Sequence, residues 1–142
     1  MQIILSDHNC EGHARKIFNV LVYDGDWLKL VPMKLQWFRD VGLSERASDE
    51  TVWRFCQKHG YILLTGNRST KACPERSRRD GSQSLELTIR DLVTSDSLPV
   101  LTISNLQRVN SDLVYRRECA EQLAEIVDDI ERFRGTPRLY LP

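Results

Sequence analysis

Neither sign of charge is in excess. Twenty Lys and Arg balance twenty Asp and Glu. That balance excludes an indiscriminate nucleic-acid coat, which depends on many phosphate contacts. It leaves room for a local basic patch beside an acidic site. Long apolar runs are also missing: none approaches the ~20 residues of a membrane-spanning helix. The opening MQIILSD has no basic region followed by a long apolar stretch, so it reads as a buried strand and not as a signal peptide. Cysteines are few and scattered. Cys10, Cys56, Cys73 and Cys119 form no C-x-x-C pair, the spacing a zinc site usually shows. Reduced, mostly buried thiols in a cytoplasmic protein are the expectation. His8, His13 and His59 add no metal signature. G-x-G-x-x-G and G-x-x-x-x-G-K are both absent, so the common phosphate loops are excluded.

What is present suits one domain. The 142 residues, 41% of them apolar, are enough for a substantial core. Residues 2–6 read as a buried strand. Ala14, Ile17, Phe18 and Leu21 then recur at helical spacing within 10–21. Alternation through Met33, Leu35 and Trp37 favours a strand, and Trp27–Leu30 before Pro32 reads as a short strand or turn. Ser48 suits a helix N-cap, followed by Asp49 and Glu50 in the first turn and closed by Gly60. Residues 61–65 form a second buried strand. Ser84 is placed to cap a helix running to about Val93, with Leu85, Ile89 and Leu92 inward. Residues 99–103 form a third strand. One long final helix is expected from Leu113 through Phe133, stopped by Gly135 and Pro137. The tail Arg138–Leu141 is placed to extend a sheet edge. Alternating strands and helices predict an α/β protein: three layers, α/β/α, around a mostly parallel sheet with right-handed crossovers.

Residues 69–83, STKACPERSRRDGSQ, differ from their surroundings. They hold Lys71, Arg76, Arg78 and Arg79 and no large apolar residue, so they predict a loop unable to bury surface. ACPERSRR resembles peptides translated from small interspersed DNA repeats inside bacterial genes. On that resemblance the segment is an insert in a shorter loop.

Acids stand where a parallel sheet places its ligands. The run Ile3–Leu5 ends at Ser6-Asp7, Asp49-Glu50 opens a helix, and the run Tyr61–Thr65 ends at Gly66-Asn67. Ligands of open α/β sheets bind beyond the carboxyl ends of the strands. Oxygen side chains gathered there suit a hard cation.

The ordered set of Asp7, Gly42-Leu43, Asp49-Glu50 and Thr65-Gly66-Asn67 resembles the PIN-like nuclease superfamily. It is most similar to a small bacterial branch of uncharacterised PIN-like proteins, over roughly residues 1–105. The resemblance implies a carboxylate cluster that binds Mg²⁺ or Mn²⁺ and cleaves RNA. It also implies a toxin with a protein antitoxin as partner. Residue by residue, Asp7 corresponds to the first acid and Asp49 to the second. Asn67 occupies the place of the third, as a catalytic and metal-facing position, and Asp80 is a further metal candidate across the insert. Asn67 offers a neutral carbonyl oxygen in place of a charge, which weakens metal affinity. A second reading follows from it: a PIN-like scaffold that binds a partner and has lost catalysis.

Overall fold

The computed structural model describes residues 1–23, 25–66 and 85–142. Five strands form one sheet: β1 Gln2–Ser6, β2 Met33–Gln36, β3 Ile62–Thr65, β4 Val100–Ile103 and β5 Arg138–Leu141. Their order is β2-β1-β3-β4-β5, and every pairing is parallel. β3 and β4 are buried at all positions, Thr65 and Thr102 included, as expected of strands covered on both faces.

Helices form the two outer layers. On one face lie α1 Glu11–Tyr23, the single turn α2 Trp27–Leu30, α5 Leu106–Ser111 and α6 Leu113–Asp128. Ile17, Leu21, Leu123 and Val127 pack there against Ile4, Ile62, Leu64 and Leu101. On the other face lie α3 Asp49–His59 and α4 Leu85–Leu92. Val52, Trp53, Cys56 and Ile89 meet Leu5, Leu63 and Val100. The three-layer α/β/α architecture predicted by the alternating pattern is the one observed.

Local signals explain several boundaries. The Ser48 side chain accepts a hydrogen bond from the Thr51 backbone N–H, and Gly60 closes α3 in the left-handed region at φ 70°. Replacing that cap, Ser48→Ala, is expected to cost about 1 kcal/mol in a urea titration; no change in midpoint would contradict the assignment.

Three expectations are corrected. Trp27–Leu30, expected as a short strand or turn, is a single turn of helix. The final helix starts at Leu113 as expected but ends early, at Asp128, and a short helix, α5, precedes it. Asp112 closes α5 and caps α6, its side chain accepting from the Tyr115 N–H, while Ile130 and Phe133 fall on a separate 3₁₀ turn. The crossovers do not share one hand. α1 covers a leftward step, and α3 and α4 cover rightward steps on the opposite face. α5 and α6 cover another rightward step, yet lie on the face of α1. The last connection therefore has the opposite hand to the first three. The connections thus cannot all follow the right-handed preference of such crossovers. Among the described residues no helix is long and apolar enough to cross a membrane, and Cys10, Cys56 and Cys119 are free and buried.

Candidate functional site

From β1 the chain crosses to β2 on one side and returns to β3 on the other. The order reverses between β1 and β3, and their carboxyl ends flank the crevice where such sheets hold ligands. Ile4, Leu5 and Ser6 pair with Ile62, Leu63 and Leu64. The Asp7 N–H donates to the Leu64 carbonyl at 2.8 Å, extending the ladder by one residue. That bond holds Asp7 beside Thr65, whose hydroxyl donates to Asp7 Oδ2 at 2.7 Å. Burial pushes the Asp7 carboxyl above its ordinary range, against the bonds from Thr65 and from the His8 and Asn9 backbone.

Asp49 reaches the same place from the first turn of α3. Its Oδ2 accepts from the Leu85 backbone N–H at 3.1 Å, so the carboxylate joins the start of α3 to the start of α4. Burial raises its pKa first and the Asp7 charge raises it further, while the Leu85 N–H and Arg138 of β5 pull it back. Both acids line one cavity of about 220 Å³ with His8, Asn9, Phe38 and Glu45. Asp7 and Asp49, paired from sequence order, are thus brought together. Asn67 and Asp80, with the insert 69–83, lie outside the described residues.

Neighbouring polar and aromatic residues take structural roles. Glu50 pairs with Arg54 along α3 at 3.2 Å. Asn105 caps α5, accepting from the Arg108 N–H. Trp53 belongs to the core beneath α3. Cys10 lies next to the site, but burial pushes its thiol up to about 12, so it offers no thiolate nucleophile at neutral pH.

His8 and Asn9 follow Asp7 in the sequence, but Glu11, Arg39 and Glu45 at the rim are not legible there. His8 stands 3.5 Å from Glu11 and 3.9 Å from Glu45, and Arg39 reaches Glu11 at 3.2 Å. Glu45 carries no local signal, because a loop acid beside a site looks like any other. Among the described residues, no three His, Cys, Asp or Glu side chains gather as a cation site. Comparison with family models, curated proteins and solved structures finds no match to this chain.

Two carboxylates on neighbouring elements can share a hard cation. Mg²⁺ takes one or two direct carboxylates and keeps several waters. The donor set fits such an ion. Both groups are held above their ordinary range by burial, and Asp49 by the Asp7 charge as well. A divalent charge between them offsets those effects.

Proposed function

We propose that the chain is a divalent-metal-dependent ribonuclease of PIN-like type. The observation that carries the reading is the meeting of Asp7 and Asp49 in one cavity at the point where the strand order reverses. Asp7 and Asp49 would hold Mg²⁺ or Mn²⁺. The bound cation supplies an acidified water and charge stabilisation for phosphodiester hydrolysis. Thr65 orients Asp7 through its hydroxyl, and the Leu85 N–H orients Asp49. His8 and Asn9 line the approach. A protein antitoxin is the partner class that the PIN-like resemblance implies.

An unstructured RNA incubated with Mn²⁺ tests the reading. Cleavage is expected, lost with a chelator and reduced about 100-fold or more by Asp49→Asn, since even outer-shell partners of metal ligands matter 10–100-fold. Cleavage that persists in Asp49→Asn would contradict it. A second reading, a binding protein on the same scaffold without catalysis, draws support from the small number of acids at the site among the described residues. It predicts RNA or protein binding with no turnover.

A further inference from the structure

We propose that Arg15 and Arg39, both laid against Trp37, form a phosphate-holding site that seats single-stranded RNA at the mouth of the carboxylate cavity. The inference rests on the ribonuclease reading and states where the substrate strand is held.

Trp37 follows directly on β2. The pairing of Leu5 with Gln36 sets Trp37 level with Ser6, one strand over from the residue that precedes Asp7. The next residue, Phe38, is part of the cavity wall. The Arg15 guanidinium, from exposed positions of α1, lies 5.3 Å from the Trp37 ring centre. The Arg39 guanidinium lies 5.7 Å from it. Two cations from separate elements are therefore gathered on one ring.

Stacking occupies the flat face of a guanidinium and leaves its N–H edge for bidentate bonds to an oxyanion such as phosphate. Arg39 spends one N–H on Glu11 at 3.2 Å. Glu11 in turn stands 3.5 Å from His8, which lines the cavity. Arg39 is thus linked to the acidic pocket through Glu11 and His8, at the strand ends between the α1 layer on which Trp37 packs and the opposite layer that walls the cavity. A polyanion approaching two carboxylates needs a positive anchor close by. In a chain whose charges cancel overall, that anchor has to be local. The ring also pre-orders both side chains, so less freedom is lost when phosphate arrives.

The test is the anisotropy of a fluorescein-labelled oligouridylate, titrated with the full chain in chelator so that nothing is cleaved. Arg15→Ala is expected to weaken binding roughly tenfold, and the slope of log affinity against log salt should fall by about 0.7, one phosphate contact on a single strand. Arg15→Lys should recover part of the affinity. Arg132 is the matched control: it is also exposed and stacked, 5.8 Å from Phe133, but it precedes β5 and so sits toward the amino ends of the strands. Arg132→Ala should leave binding unchanged. An intact chain that does not saturate with oligouridylate would overturn the proposal. So would equal losses from Arg15→Ala and Arg132→Ala, or no loss from Arg15→Ala. Binding that depends on Arg15 without Mn²⁺-dependent cleavage would keep the phosphate site and remove the nuclease.

Discussion

Asp7→Asn will raise the thermal stability of the metal-free chain and abolish its stabilisation by Mn²⁺. The Asp7 carboxyl is held above its ordinary range, by burial before anything else. A carboxyl whose folded pKa exceeds its unfolded one adds stability only where it is protonated. That stability is fully present below the unfolded value and is lost as pH rises through the folded one. At neutral pH the ionised group is therefore a burden, and its charge also raises the Asp49 carboxyl. Asn keeps an acceptor for the Thr65 hydroxyl and removes the charge. The expected gain is on the order of 1 kcal/mol, the usual exchange of function for stability at a charged site. For a chain of this length that is about 3 °C in Tm. The parent should gain Tm with added Mn²⁺, because a ligand bound only to the folded state stabilises it. Calorimetric scans with chelator and with Mn²⁺ check both halves. A variant less stable than the parent in chelator would mean that the Thr65 and backbone bonds outweigh burial.

The second large effect concerns the fold beneath the site. The Gln57 side chain of α3 donates to the Leu98 carbonyl at 2.9 Å and accepts from the Leu98 N–H at 2.8 Å. It thereby completes the backbone of a buried residue just before β4. Gln57→Leu preserves the bulk and strands both backbone groups. Each unmade bond in a buried setting costs about 1–3 kcal/mol, so a loss of roughly 2–4 kcal/mol is expected in urea unfolding. A loss under about 0.5 kcal/mol, the scale of ordinary surface substitutions, would show that solvent completes Leu98 equally well.

The strands were legible because parallel strands covered on both faces carry consecutive apolar residues, as Ile62–Leu64 and Val100–Leu101 do. α3 was legible from chemistry at its ends, with Ser48 capping and Gly60 turning. The final helical region was misread because the apolar spacing from Leu113 continues through Ile130 and Phe133, although Asp129 ends the helix between them. α5 was hidden because its six residues bury only Val109. At the site, Asp7 and Asp49 could be paired from the order of elements alone. Their partners could not. The Thr65 hydroxyl and Leu85 N–H, like the Gln57 clasp on Leu98, depend on long-range register that no local pattern encodes. Arg15 and Arg39 converge on Trp37 for the same reason.

The central claim is that Asp7 and Asp49 together hold a divalent cation. Isothermal titration of Mn²⁺ into the full chain, at pH 5 and pH 7.5, tests it most directly. One saturable site is expected at pH 7.5. Binding should weaken at pH 5, because two carboxyls held above their ordinary range must release protons to the solvent before they can ligate. Asp7→Asn and Asp49→Asn should each remove the site. Absence of saturable binding at pH 7.5, or binding that survives both substitutions, would contradict the claim.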